Sequence, residues 1–198
     1  MKLLIFLLPL LLQGGWAQPG EKQHVSPVSV DGREFRGAFN ATADRPRLVM
    51  VFSPTWPHCI RGALEVHQIL KKIPDAKVKV LVLWSPILSR DSMSSAVEAS
   101  AFLADSRVEH FWDLWSFGMR HYTQQLKYPS SEHAWDIFIL YKSRLKWGAT
   151  APTPTFWWQN RNLPHGAKYS QRLLERELTR LLQRWSLTAG NRRNTNTT

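Results

Sequence analysis

The 198-residue sequence has very little cysteine, since Cys59 is the only one. An intramolecular disulfide is therefore excluded, and so is thiol–disulfide exchange between two thiols of one chain. The sequence also lacks a Ser-His-Asp arrangement, a glycine-rich phosphate loop and a paired-carboxylate motif. The sequence therefore predicts no cofactor. It contains no motif of a serine hydrolase, of a phosphate-binding enzyme or of an enzyme that uses two carboxylates.

Long apolar runs are also absent. The longest one, Leu3–Leu12, follows Met1-Lys2 and is followed by small residues up to Ala17. A basic start, about ten apolar residues and a small-residue cleavage site predict a secretory signal peptide over residues 1–17. Because a membrane-spanning helix needs about twenty apolar residues, no transmembrane segment is predicted. We expect a secreted or periplasmic protein, whose sequons at Asn40 and Asn196 matter only in a source that glycosylates.

Acidic residues are scarce relative to basic ones: 15 against 26, for a net charge of +11. Such a charge favours acidic partners, or it marks a solvated basic surface. The basic residues are spread along the chain in single positions and short pairs. No basic run is interleaved with aromatic residues, so nucleic-acid binding is not predicted.

Apolar runs over residues 48–52, 78–84 and 135–141, with a fourth run starting at Thr155, predict buried strands. Apolar spacings of three and four residues predict helices over 59–73, 94–104, 114–126 and 169–187. This alternation indicates an α/β fold with a mostly parallel central sheet. We expect a lead-in segment over 18–43, one domain over 44–187 and a disordered polar tail over 188–198.

The first buried strand runs through Ser53-Pro54-Thr55 into Trp56-Pro57-His58-Cys59, which opens a helix. This segment resembles the Cys-x-x-Cys motif of the thioredoxin superfamily, and Pro154-Thr155 resembles that family's cis-proline element before a later strand. The resemblance implies a thioredoxin-like fold with a central mixed sheet flanked by helices. Residues 85–127 then form a helical insertion relative to a minimal thioredoxin.

The sequence departs from the family motif at two of the positions that take part in thiol–disulfide exchange. Trp56 stands in the position of the attacking cysteine, and Cys59 matches the resolving one. The buried acid of thioredoxins would fall at Met50. These losses favour a non-catalytic binding module; the alternative is an enzyme similar to the thiol-disulfide oxidoreductases. The groove of the binding module would be formed by Trp56, Pro57, His58, Pro154 and Thr155, and its ligand would be a protein, a peptide or a small molecule.

Three roles stay open for Cys59: a small buried hydrophobe, a single reactive thiol, or a metal ligand together with His58. Residue 56 could also be a misread selenocysteine or cysteine, since each has a codon one base from that of tryptophan. Further metal ligands would have to come from His110, Asp113, His121, His133 or Asp136. No pair of them has a recognised ligand spacing, so no metal site is predicted. The oligomeric state is left open.

Overall fold

The structure, a computed structural model, describes residues 20–194, with side chains up to residue 187. The predicted signal peptide and Asn196 lie outside the described residues. The elements in chain order are β1 (Val25–Pro27), α1 (Arg33–Ala41), β2 (Arg47–Phe52), α2 (Pro57–Lys72), β3 (Lys79–Trp84), α3 (Met93–Ser100), a 3-10 turn (Ala101–Leu103), β4 (Val108–Trp112), α4 (Phe117–Gln125), β5 (Ile137–Tyr141), β6 (Phe156–Gln159), β7 (Ala167–Lys168) and α5 (Gln171–Asn194).

Seven strands form one mixed sheet in the order β1-β4-β3-β2-β5-β6-β7. The strands β1, β4, β3 and β2 run parallel to one another, whereas β5 is antiparallel to β2 and β6 is antiparallel to β5. The unit β2-α2-β3, followed by the antiparallel pair β5-β6 and a closing helix, is the thioredoxin-like arrangement that the sequence predicted. The mixed α/β fold class is thus confirmed.

Both faces of the sheet are covered, because alternate residues of each strand point to opposite sides. One face carries Met50 and Phe52 of β2 against α2, α3 and α5. The other carries Val49 and Val51 against α1 and α4. Strands buried on both faces read as the continuous apolar runs seen in the sequence. In the described part of the chain, every helix falls short of the length and apolarity needed to cross a bilayer.

Three boundaries differ from the sequence-based expectation. The expected lead-in contributes β1 and α1, and α1 buries Phe35 and Phe39 completely. Residues 85–127 are not only helical, since β4 lies between β3 and β1 in the sheet. Helix α5 continues to Asn194, so residues 188–194 of the expected disordered tail are helical. Short or half-buried strands such as β1 and β4 lack the apolar run by which the other strands were recognised.

The side chain of Asn40, the asparagine of the first sequon, is hydrogen-bonded within the domain. Its Nδ2 donates to the carbonyl oxygen of Trp147 at 3.0 Å, and its Oδ1 accepts from the backbone N–H of Trp147 at 2.7 Å. The amide nitrogen that would carry a glycan is therefore already in use in the folded protein.

His110 on β4 is a buried titratable group. It is 2% exposed, its Nδ1 accepts from Trp84 Nε1 at 3.2 Å, and its Nε2 lies 3.3 Å from the carbonyl oxygen of Leu103. This network suits the neutral ring with its proton on Nε2, since protonation of Nδ1 would remove the acceptor for Trp84. Burial lowers the pKa of His110 to about 4.

We expect stability to fall in acid because unfolded His110 takes up a proton near pH 6.5, whereas folded His110 does so only near pH 4. Neutral His110 makes its full contribution to the free energy of unfolding above pH 6.5. Between pH 6.5 and pH 4 this free energy falls by about 3 kcal/mol. Urea unfolding at pH 7, 5.5 and 4.5 should show this loss relative to His110→Gln. Parallel curves for the two proteins would contradict it.

Candidate functional site

The loop that follows β2 is fixed by one carboxylate. The hydroxyls of Ser53 and Thr55 donate to Asp91 Oδ1 at 3.1 and 2.5 Å, and two backbone N–H groups donate to Asp91 Oδ2. Ser53 Oγ also accepts from the backbone N–H of Trp56 at 3.1 Å. Trp56 is therefore held in place at the end of a buried strand.

Helix α2 begins at Pro57, a residue favoured at the first helical position because its N–H would be unpaired there and its φ is already helical. Trp56 is the N-cap residue and provides no side-chain cap. His58 is exposed and stacks on Trp56 with ring centroids 5.8 Å apart. Arg61 Nη2 lies 2.6 Å from His58 Nδ1. The motif thus presents an aromatic and basic surface at the start of the helix.

Cys59 points into the core and is completely buried. A helix N-terminus ordinarily lowers the pKa of a thiol. Here burial raises the pKa of Cys59 well above its usual value, and the nearby Asp136 raises it further. Because the thiolate is the nucleophilic form, a buried and protonated Cys59 is poorly suited to redox chemistry.

Asp136, which the sequence offered only as one of five possible further metal ligands, is the acid that lies beside Cys59. It directly precedes β5. Its backbone N–H donates to the Val51 carbonyl at 2.8 Å, and its backbone carbonyl accepts from the N–H of Asn160 at 2.9 Å. Its φ of 54° is left-handed, a conformation that Asp tolerates better than most residues. The register of β5 against β2 brings Asp136 to the motif, whereas Met50, the expected position of the acid, is a core residue.

The carboxylate of Asp136 is fully buried, and neither oxygen has a hydrogen bond of ordinary geometry. Burial raises the pKa of Asp136, although the nearby Cys59 thiol and Asn160 side chain oppose the increase. Asp136 and Cys59 therefore form a buried acid–thiol pair in which both groups favour the neutral form. An acidic residue just before the apolar run 137–141 was the sequence signal for it.

Trp135 completes the surface above this pair. Its ring meets Trp56 edge to face, with centroids 6.0 Å apart, and the guanidinium of Arg161 lies 4.7 Å from its ring centroid. Arg161 is held by an ion pair with Glu132 at 3.0 Å and by a bond to the His133 carbonyl at 2.5 Å. Trp56 and Trp135 are both half-buried. We call Trp56, His58, Trp135 and Arg161 the aromatic surface.

Pro154 and Thr155 do not belong to this surface. The Thr155 N–H donates to the Leu140 carbonyl at 2.9 Å, and Leu140 pairs with Leu48 near the start of β2. Trp56 follows the end of β2, about one strand length away, or roughly 17 Å at 3.3 Å per residue. The predicted groove between Trp56 and Pro154 is therefore wrong, because the antiparallel register places them at opposite ends of the sheet.

The predicted cis proline is also wrong, since no peptide bond among residues 20–194 is cis. Trans is the more stable isomer of an X–Pro bond, and Pro154 enters β6 from an extended segment where no tight turn demands the other form. The residues opposite the Trp56 motif are Trp135 and Asp136, and neither is a proline.

Apart from Asp136, which lies beside Cys59, the candidate metal ligands are dispersed. Asp113 accepts from the backbone N–H groups of Phe117 and Gly118 at 2.7 and 2.8 Å, and so caps α4. His121 Nδ1 lies 2.9 Å from the Phe117 carbonyl, and His110 faces Trp84 as described. Among residues 20–194, no group of three or more His, Cys, Asp or Glu residues is arranged to hold a metal ion.

Neither a protein-family model nor a curated protein matches the chain. Among solved structures, it resembles a secreted Mycobacterium tuberculosis disulfide oxidoreductase homologous to E. coli DsbE, with 14% identity, 70% and 84% of the two chains covered, and a TM-score of 0.44. A SCO1/SenC family lipoprotein from Bacillus anthracis is 11% identical, with 84% and 99% covered and a TM-score of 0.49. A thioredoxin family thiol:disulfide interchange protein from Chlorobium tepidum is 10% identical, with 85% and 99% covered and a TM-score of 0.45.

The chain is a thioredoxin-fold protein. The arrangement of its strands shows this directly, and it confirms the fold that the resemblance of the Trp56 motif implies. At identities of 10–14% and TM-scores below 0.5, the activity of each of these proteins is its own.

We expect Cys59 to resist iodoacetamide in the native protein and to react at once in guanidinium, because alkylation requires the core to open. The native rate should be at least about a thousandfold lower, as for a site exposed only by substantial unfolding. A Cys59→Ala/Ser130→Cys variant, whose thiol is on the surface, gives the rate of an accessible cysteine. Native labelling of Cys59 within about tenfold of that rate would restore single-thiol chemistry.

We expect Asp136→Asn to stabilise the protein increasingly as the pH rises. The pKa of Asp136 is higher in the folded than in the unfolded protein, where it is about 4. Protonated Asp136 therefore contributes its full stability below pH 4, and this contribution is lost as the pH rises through the folded-state pKa. Asparagine keeps the left-handed backbone accessible and cannot ionise. Urea unfolding at pH 4, 6 and 8 measures the gain, and Asp75→Asn, at an exposed position, is the matched control. A gain that does not change with pH would contradict the expectation.

Proposed function

We propose that this chain is an exported, non-catalytic thioredoxin-fold module that binds a peptide or a protein segment on the aromatic surface. The observation that carries the proposal is that Trp56, in the position of the attacking cysteine, packs against Trp135 beside a buried Cys59. The catalytic position of the motif has thus become part of a contact surface. Export rests on the signal-like sequence of residues 1–17.

The chemistry of the motif supports binding over catalysis. Thiol–disulfide exchange needs an accessible thiolate, and the only thiol of the chain is buried and protonated. Trp56 offers no nucleophile. The buried Asp136 beside Cys59 is the feature that favours the second candidate, a single-thiol redox protein. It favours this candidate weakly, because Asp136 raises the pKa of the thiol rather than lowering it.

The aromatic surface has the composition of a binding site. Tryptophan and arginine are the residues that most often dominate the energetics of protein interfaces. Here the guanidinium of Arg161 and the neighbouring indole of Trp135 keep each other in place, and His58 covers part of Trp56. A preorganised surface loses less side-chain entropy when a ligand binds. Two indoles at right angles suit an extended peptide with apolar side chains.

We expect peptides selected from a random library against the full chain to bind through this surface. Trp56→Ala and Trp135→Ala should each weaken binding at least about tenfold, as truncation of a buried aromatic anchor does. Fluorescence anisotropy with labelled peptides measures the affinities. Phe156→Ala is the matched control, because Phe156 is an aromatic residue that is 39% exposed at the other end of the sheet.

Two outcomes would contradict the proposed function. One is a library that yields no binder. The other is a set of binders whose affinities are the same for the wild type, Trp56→Ala and Trp135→Ala. Loss of binding in Phe156→Ala alone would move the site to the end of the sheet near Pro154.

A further inference from the structure

A small cavity lies beside the aromatic surface. Its volume is about 330 Å³, and it is formed by α4 and the loop after it; its lining includes Met119, Arg120, Thr123, Lys127, Tyr128 and His133. Arg161 connects the two places. Its guanidinium lies over Trp135, and it also donates to the carbonyl of His133 in the cavity wall. A ligand on the aromatic surface therefore has this cavity within reach.

The cavity is positively charged, because two of its lining residues are cations and none is an acid. Arg120 and Lys127 are exposed, and neither forms an ion pair with any of the residues that the structure describes. The lining contains no acidic residue. Arg120 opposes the rise that burial causes in the pKa of Asp113 and donates to the Trp115 carbonyl, and Glu132 is engaged by Arg161. An anion in this cavity would meet two cations without displacing a carboxylate of the protein.

The wall of the cavity also contains an unsatisfied polar group. Tyr128 is 8% exposed, and its hydroxyl oxygen has no hydrogen-bond partner of ordinary geometry. Burial raises the pKa of Tyr128 to about 12, so the hydroxyl is a neutral donor. The Arg161 side chain faces the hydroxyl oxygen as a donor and opposes this increase, so the hydroxyl proton is what still lacks an acceptor. Buried polar groups in folded proteins are nearly always hydrogen-bonded, and an acidic ligand would supply that acceptor.

The backbone at Lys127 is consistent with a functional role. Its φ is 54°, just after the end of α4, where helices usually place glycine because other residues are strained in this conformation. A lysine at this position therefore costs stability. Such strain is commonly found at binding sites, where the side chain is retained for its function.

We propose that this cavity binds the side-chain carboxylate of an acidic residue in the peptide that occupies the aromatic surface. The proposal rests on the function proposed above and narrows the ligand to an acidic peptide. Arg120 and Lys127 supply the charge, the hydroxyl of Tyr128 gains an acceptor, and Met119 contacts the apolar stem of a glutamate or aspartate.

The cavity is first tested without a peptide, using 4-phenylbutyrate and its uncharged amide in ligand-observed NMR titrations. We expect the acid to bind at least about tenfold more tightly than the amide, in line with a charge-assisted hydrogen bond. The Arg120→Gln/Lys127→Gln variant should lose that preference. Lys142→Gln/Lys146→Gln removes the same charge from an exposed loop at the other end of the sheet and should keep it. Equal binding of acid and amide, or an unchanged preference in Arg120→Gln/Lys127→Gln, would overturn the proposal.

The second test separates this proposal from the proposed function. Peptides recovered from the library should contain Asp or Glu, and replacing that residue with its amide should weaken binding to the wild type about tenfold. The same replacement should have little effect on Arg120→Gln/Lys127→Gln, because coupled groups do not act additively. Peptides that depend on Trp56 but contain no acid would overturn the assignment of the cavity to a carboxylate while leaving the aromatic surface intact. Tighter binding of phenyl phosphate than of 4-phenylbutyrate would overturn the assignment to a carboxylate.

Discussion

The pairing of β5 with β2 is the constraint on which the candidate site depends. Because β5 runs antiparallel with Ile137 opposite Val51, the residues just before β5 lie where β2 ends. The bond from the Asp136 N–H to the Val51 carbonyl extends this pairing by one residue. Trp135 and Asp136 then alternate, one toward the surface beside Trp56 and the other toward buried Cys59. A shift of one residue would exchange an indole and a carboxylate between core and solvent.

The features that the sequence predicted correctly depend on residues close together in the chain, and those that it missed depend on residues far apart in the chain. The strand–loop–helix segment around Trp56 is local, and its apolar run, proline and helical spacing predicted β2 and α2 almost to the residue. The partner of that segment is set by strand pairing across about eighty residues, which no local pattern specifies. Pro154 was therefore chosen for its order in the chain, although the register brings Trp135 to Trp56 instead.

The acid–thiol pair shows why the presence of familiar groups does not establish a redox site. A nucleophilic thiol needs either solvent or a cation to stabilise its negative charge. Cys59 has neither, since it is buried and the titratable group that affects its pKa most, Asp136, is itself an acid. Asp136 would have to be ionised to act as a base, and burial opposes this too. Burial makes the charged form of each group less stable and Asp136 adds to this effect at Cys59, so the pair is more stable with both groups neutral.

Arg161 lies at both the aromatic surface and the wall of the cationic cavity. One guanidinium stacks on Trp135, pairs with Glu132 and donates to the carbonyl of His133, so its position is fixed from three directions. Arg161 therefore contacts both the apolar ring of Trp135 and the wall of the cationic cavity at His133. A ligand that covers the rings would remove water from Arg161, and this loss of solvent would strengthen its attraction to a nearby carboxylate. The aromatic and the acidic contacts would therefore reinforce each other, and a peptide offering both would be distinguished from one offering either alone.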